Sequence, residues 1–121
     1  LSGPAPRRLA AEQRGHWGER RAALWLKLHG WRLLTTRAKV RQGEVDLIAR
    51  RGRVLIFVEV KTRATAAELD LAIDRNRLKR VAAAAHALSP KYARATDTIR
   101  IDVILIAPRR WPRWLKNVWS D

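Results

Sequence analysis

Cysteine is absent from this 121-residue chain. That excludes disulfide staples, thiolate metal sites and cysteine nucleophiles. It also fits a reducing compartment, so the expected location is the cytoplasm. Methionine is absent too, as expected of a processed or trimmed chain. No apolar run approaches the ~20 residues that span a bilayer, so no membrane association is expected. Leu1 to Arg8 carries basic residues with no apolar stretch behind them, which is not a secretory signal pattern. The three histidines, His16, His29 and His86, show no metal-ligand spacing. Acids are scarce: 11 Asp and Glu stand against 26 Lys and Arg, a formal net charge of +15. Such an excess favours a polyanion, because cationic side chains gain affinity for nucleic acid by releasing its condensed counterions. The plainer alternative is a basic surface that only confers solubility.

The length suits one domain, and 47% hydrophobic with 31% charged residues predicts a folded chain. Pro4 and Pro6 mark residues 1–8 as a flexible lead-in. Residues 9–107 read as one domain and 108–121 as a Trp/Arg-rich tail. Leu9 to His29 is predicted helical. Trp17, Arg21, Leu24 and Leu28 form one stripe, widened by Ala22, Ala23 and Leu26. Gly15 and Gly18 could interrupt it, and Gly30 suits a C-terminal cap. Trp31 to Thr36 is a short strand and Arg37 to Gln42 a basic loop. Glu44 to Ala49 and Arg53 to Thr62 are the clearest strands, with Arg51-Gly52 as the turn. Ala64 to Asp74 gives no clear signal. Arg75 to Leu88 reads as a helix stopped by Ser89-Pro90, and Thr98 to Ile106 alternates as a strand. The expected class is α/β, a mixed sheet flanked by helices in the order αβββαβ.

The hairpin carries the chemistry. With Arg51-Gly52 as the turn, Asp46 faces Phe57 and Glu44 faces Glu59. Glu44, Asp46, Glu59 and Lys61 then share a side. The other side, Val45, Leu47, Ala49, Val54, Ile56, Val58 and Val60, is wholly apolar. Three carboxylates meeting in a chain so poor in acids point to a divalent cation, and Mg²⁺ favours a few carboxylate oxygens plus water. A solvated hairpin end with surface ion pairs is the bland alternative.

The segments Gly43-Glu44-Val45-Asp46-Leu47-Ile48 and Phe57-Val58-Glu59-Val60-Lys61-Thr62-Arg63 resemble the YraN-like family of small bacterial proteins. The likeness extends to Gly15–Glu19, Arg100–Val103 and Trp114–Trp119, nearly the whole chain. That family is similar to the archaeal Holliday-junction resolvases and other PD-(D/E)XK nucleases. The resemblance implies a restriction endonuclease-like core. It places Asp46 as the first acidic residue of the motif and Glu59-Val60-Lys61 as its E-x-K. Val45 stands where the proline that gives the motif its name would be.

It further implies Mg²⁺ or Mn²⁺ held by Asp46, Glu59 and the Val60 carbonyl, with Lys61 beside the attacking water. Glu19 and Glu44 would assist. Arg37, Lys39, Arg41, Arg63 and Lys79 would grip nucleic acid, DNA rather than RNA. A resolvase-like role would need two active sites and therefore a homodimer. The implied activity is endonucleolytic cleavage of structured or branched DNA in repair or recombination. The alternatives are a non-cleaving DNA-binding partner with the same fold, or an RNA-binding protein, which leaves the acidic cluster unexplained. Asp102 reads as a satisfied structural acid. Trp111, Trp114 and Trp119 alternate with Arg109, Arg110, Arg113 and Lys116. They are expected to fold back onto the core or a second copy, with base stacking as the alternative.

Overall fold

The computed structural model describes residues 6–65 and 74–119, with the side chains of 6–12 and 14 left aside. Helix α1 (Pro6–Leu28) precedes β1 (Arg32–Val40), β2 (Gly43–Arg51) and β3 (Val54–Thr62). Helix α2 (Arg75–Tyr92), β4 (Thr98–Ile106) and a short β5 (Arg113–Leu115) follow. The strands form one sheet in the order β1-β2-β3-β4-β5. Pairing is antiparallel except between β3 and β4, which are parallel. Among the described residues the mixed sheet and the αβββαβ order are those expected, with β5 added at one edge. Ala66 to Ile73, most of the segment that gave no clear signal, lies outside the described residues.

The sheet is buried on both faces. Leu47, Ala49, Ile56, Val58, Ile104 and Ile106 pack with Ala22 and Leu26 of α1. Val45, Ile48, Leu55, Phe57 and Ile101 pack with Val81, Ala84, Ala85 and Leu88 of α2. Each fully buried Val, Leu, Ile or Phe contributes about 1.5–3 kcal/mol, so these two layers hold the helices on the sheet.

Several expectations are corrected. Residues 6–8, assigned to the lead-in, are already helical, and residues 1–5 lie outside the described residues. Gly15 and Gly18 do not interrupt α1. Leu24 and Leu28 are 57% and 71% exposed, whereas Ala22 and Leu26 are buried. The stripe that docks is Gly18, Ala22 and Leu26, chosen by small residues that let the helix approach the sheet rather than by the bulkiest apolar ones. The basic segment after Thr36 is not a loop: β1 stays paired to Val40↔Gly43, with Ala38 and Val40 packed toward α2. Ser89-Pro90 does not end α2, which continues to Tyr92. Near a helix C-terminus the N–H that Pro90 lacks is a small loss, and the Ala93 N–H closes the end on the Ser89 carbonyl.

Gly30 caps α1 as expected. Its φ is 85°, its N–H bonds to the Lys27 carbonyl, and the Trp31 N–H reaches the Leu26 carbonyl, the pattern of a Schellman cap. At the same end of the sheet, Arg50 donates two hydrogen bonds to Asp97, at 2.7 and 2.6 Å, and one to the Tyr92 carbonyl at 3.0 Å. Asp97 is held at about 2, below the usual carboxylate range, chiefly by the Arg50 hydrogen bonds. This fork ties β2 to the connection between α2 and β4. Asp102, fully buried in β4, accepts from Arg100, from Trp114 Nε1 at 2.9 Å and from the Asn117 N–H at 2.9 Å. It is the satisfied structural acid the sequence indicated, and it pins the tail to the sheet.

Helix α1 approaches the sheet closely at Gly18. A Cβ there would overlap the Thr62 hydroxyl and stand 2.9 Å from Thr62 Cβ. Gly18→Ala should therefore cost about 1–3 kcal/mol by overpacking. Shortening the opposing side chain in the double variant with Thr62→Ala should recover part of that loss. Urea denaturation of the four proteins checks it; equal stability of Gly18→Ala and the parent would refute the close approach.

Candidate metal and nucleic-acid site

The hairpin turn sets the register. Arg51 pairs with Val54, Ile48 with Phe57 and Leu47 with Val58. Gly52 and Arg53 are thus the two turn residues, rather than Arg51 and Gly52. Only the first has a positive φ, 60°, as a type II′ turn requires. The pairing expected from the sequence is shifted by two residues. Faces are kept by an even shift, but neighbours change: Phe57 lies across from Ile48, not Asp46, and Glu44 is moved away from Glu59.

A second irregularity shapes the site. Leu47 packs toward α1 while Val45 packs toward α2, so the in–out alternation of β2 breaks at Asp46. The break continues into β1. Arg37 lies between the pairs Thr36↔Leu47 and Ala38↔Val45, across from Asp46. Its φ is 51°, the left-handed region a non-glycine residue seldom occupies. The described β2–β3 ladder ends at Leu47↔Val58. Beyond it, Asp46 Oδ2 accepts the Val60 N–H at 2.8 Å. A carboxylate thus takes the place of a backbone partner where the two strands part.

A cavity of about 490 Å³ opens there, lined among others by Glu19, Asp46, Glu59, Val60, Lys61 and Arg63. Gly15, Thr62 and Arg77 complete its wall. Glu59 is 2% exposed, and its Oε1 lies 3.2 Å from both Lys61 Nζ and Arg77 Nε. Asp46 is pushed up to about 7, mainly by burial and next by the negative charge of Glu59. The Val60 N–H pulls the other way, and Glu19 and Glu44 add to the rise. Two carboxylates thus share a poorly hydrated space in which one resists ionising.

Of the residues singled out from the sequence, Asp46, Glu59, Val60, Lys61, Glu19 and Arg63 come together in this cavity. Glu19 Oε2 is bonded to Arg37 Nε at 2.9 Å, so Arg37 reaches the site through an ion pair. Arg63 is turned partly onto the Thr62 carbonyl at 2.8 Å. Glu44 does not join: it is exposed and pairs across the strands with Lys39. The convergence of three hairpin carboxylates is thereby corrected: the register shift moves Glu44 from its place opposite Glu59, and the break in alternation at Asp46 turns it off the shared side. Among the described residues no group of three or more His, Asp or Glu forms a ready-made cage. Lys39 and Arg41 are exposed nearby on β1 and its turn. Lys79, on α2, lines different cavities. Arg77 is expected from the sequence only as part of a basic face at the helix start, not at the site. Its place in the helix start was legible, but its contact with Glu59 depends on how the chain crosses from β3 to α2, which no local pattern records.

Residues 18–106 match a known family, described as Uncharacterised protein family UPF0102. The chain belongs to that family. UPF0102 is the YraN-like family that the hairpin motif resembles. A UPF0102 protein of Sphingopyxis alaskensis is 63% identical over 113 residues, covering 93% of this chain and 97% of the relative. One from Rhizorhabdus wittichii is 62% identical, covering 93% and 96%. Among solved structures, Hjc of Archaeoglobus fulgidus, a Holliday junction resolvase, is similar with a TM-score of 0.57 at 17% identity, over 81% of this chain and 72% of that one. At that identity the likeness speaks for the fold alone: this chain shares the restriction endonuclease-like α/β core of that protein.

The raised Asp46 carboxyl has a consequence for stability. Below about pH 4 the group is protonated in both folded and unfolded chains, so it contributes no pH dependence. Between there and about 7 the folded form stays protonated while the unfolded form ionises, so stability falls as pH rises. Above about 7 the whole penalty is present. Asp46→Asn should therefore raise the melting temperature of the cation-free protein at pH 8 and leave it nearly unchanged at pH 4. A variant no more stable than the parent at pH 8 would contradict the burial of this carboxylate.

Proposed function

We propose that this protein is a divalent-metal-dependent endonuclease that hydrolyses phosphodiester bonds in DNA, acting on structured or branched DNA in repair or recombination. One observation carries the reading: two carboxylates and a lysine, Asp46, Glu59 and Lys61, share an open cavity flanked by arginines where β2 and β3 part. The likeness of the fold to a Holliday junction resolvase supports it. So does the net charge of +15.

The residues fit a hard cation. Their donors are oxygens, no histidine lines the cavity, and the Asp46 carboxyl resists ionising beside Glu59. This matches Mg²⁺ or Mn²⁺ rather than zinc. Asp46, Glu59 and the Val60 carbonyl would hold it. When bound, such an ion neutralises charge on the scissile phosphate and lowers the pKa of water.

The chain's own residues supply the rest. Lys61, its side chain 13% exposed, is held by Glu59 at 3.2 Å. From there its ammonium can donate to the attacking water or to a phosphate oxygen, where charge builds in the transition state. Glu19 orients Arg37 and faces the same cavity. Arg37, Lys39, Arg41, Arg63 and, more remotely, Lys79 contact flanking phosphates, which sets position rather than sequence preference. Glu44 contributes field at a distance. Resolving a four-way junction would take two such sites, hence a homodimer. Among the described residues no helix is long and apolar enough to cross a membrane.

A second reading has its own support. Glu59 already carries two ion pairs, with Lys61 and Arg77, so the protein's own cations balance this acid. That would suit a DNA-binding partner that does not cut.

Cleavage of labelled single-strand, duplex, flap and four-way-junction DNA with Mg²⁺, Mn²⁺ or EDTA separates the two. Asp46→Ala and Lys61→Ala should each lower metal-dependent cleavage by at least about 100-fold, while salt-sensitive binding persists. Equal cutting by either variant would remove the assigned site. Binding by the parent without cutting, whatever the metal, would establish the second reading.

A further inference from the structure

The tail and the end of α1 form a surface that the acidic site does not use. Trp25 lies 4.4 Å from His29 and 5.8 Å from Trp111, ring centre to ring centre. His29 stands edge-on to Trp114 at 6.3 Å, and Trp114 edge-on to Trp31 at 5.7 Å. Five rings thus make one continuous row. Its inner end is buried, with Trp31 7% exposed, and its outer end is open, with Trp111 82% exposed. Isolated exposed apolar residues are ordinary, but here the exposed ring continues a row of tilted and edge-on rings.

Cations accompany the row. The Lys116 ammonium lies 4.6 Å from the Trp114 ring centre and the Arg100 guanidinium 5.6 Å from that of Trp31. A cavity of about 500 Å³ is lined by Trp31, Trp114, Arg51, Arg100 and Lys116, and no acid among the described residues lines it. Asp102, which bonds Trp114, is fully buried and engaged by Arg100, Trp114 and Asn117. Its bond to Trp114 Nε1 fixes that ring, so little ordering remains for a ligand to impose. Arg109, Arg110 and Arg113 are exposed around Trp111 in the chain.

We propose that this surface binds single-stranded DNA, with unpaired bases stacking on Trp111 and Trp25 and phosphates held by Lys116, Arg100 and Arg51. Open aromatic faces beside cations are what an unpaired strand recognises, since every base has a π-face to stack. A duplex keeps those faces covered. A second copy of this chain is disfavoured at this face, because a two-fold contact here would set Arg51, Arg100 and Lys116 against the same cations of the other copy. Glu19 and His29 are ten residues apart on the helix and its cap, about 15 Å of helical rise. A strand on the tryptophans would therefore lie close to the acidic cavity, which fits substrates with an unpaired segment beside the cut. The inference rests on the nucleic-acid part of the proposed function and not on cleavage.

Binding in EDTA tests it without chemistry. Fluorescence anisotropy would follow fluorescein-labelled oligo(dT), oligo(U) and a blunt duplex of the same length. Trp111→Ala should weaken oligo(dT) binding about fivefold or more, because stacking contributes ~1–3 kcal/mol per base. Duplex binding, governed by phosphate contacts, should change by no more than about twofold. Trp111→Phe, which keeps a π-face, should retain most of the affinity. Unchanged oligo(dT) affinity in Trp111→Ala would overturn the proposal while leaving a duplex-binding nuclease intact. So would a change only in sedimentation, which would assign the ring to self-association. Tighter binding of oligo(U) than of oligo(dT) would overturn the choice of DNA. Failure of the parent to bind any of the three would overturn the nucleic-acid reading itself.

Discussion

Where β2 and β3 separate, a carboxylate stands in for a backbone partner: Asp46 Oδ2 accepts the Val60 N–H at 2.8 Å. Much of the site follows from that one bond. It satisfies a backbone donor that the departing strand no longer reaches. It holds Asp46 in a buried place beside Glu59, and burial first, then that neighbouring charge, raise its pKa although the bond itself lowers it. It coincides with the point where β2 changes the face it presents, and with the left-handed Arg37 on the neighbouring strand. Irregular backbone of this kind persists only where surrounding packing enforces it. Here the two helix layers do so, and the approach of α1 through Gly18 brings Glu19 to the same opening.

Acids are few, and the structure uses them at junctions. Asp97 joins β2 to the start of β4 through Arg50. Asp102 joins β4 to the tail. Glu19 joins α1 to β1 through Arg37. Each meets an arginine and thereby avoids the cost of an unpaired buried charge. Asp46 differs: its hydrogen bond comes from a backbone N–H, and its nearest strong field is that of another carboxylate. That contrast within one chain, more than the presence of acids as such, distinguishes a site from a scaffold.

The element order and the acidic hairpin were legible because they follow local patterns. Apolar continuity marked β2 and β3, alternation marked β4, and Gly30 marked the end of α1. Asp46, Glu59 and Lys61 line one cavity, and the even register shift keeps Glu59 and Lys61 on one side. What was not legible depended on geometry between elements. Leu24 and Leu28 looked like the buried stripe, but the sheet admits only the narrow face of Gly18, Ala22 and Leu26. Glu44 lost its place opposite Glu59 because the turn lies one residue later than its Arg-Gly signal implied. β1 reads as a basic loop after Thr36 because its outward residues are charged, and only Ala38 and Val40 betray the strand. Trp111 and Trp114 have similar local surroundings in sequence. β5 pairing and the Asp102 bond place one against the core and leave the other open.

Cation binding is the claim on which the proposed chemistry rests, and Mn²⁺ reports it directly. Electron paramagnetic resonance of free Mn²⁺, titrated with the DNA-free protein, should show one ion taken up per chain, displaced by excess Mg²⁺, with uptake lost in Asp46→Ala. Equal uptake by Asp46→Ala and the parent, or none by either, would contradict a metal site at Asp46 and Glu59.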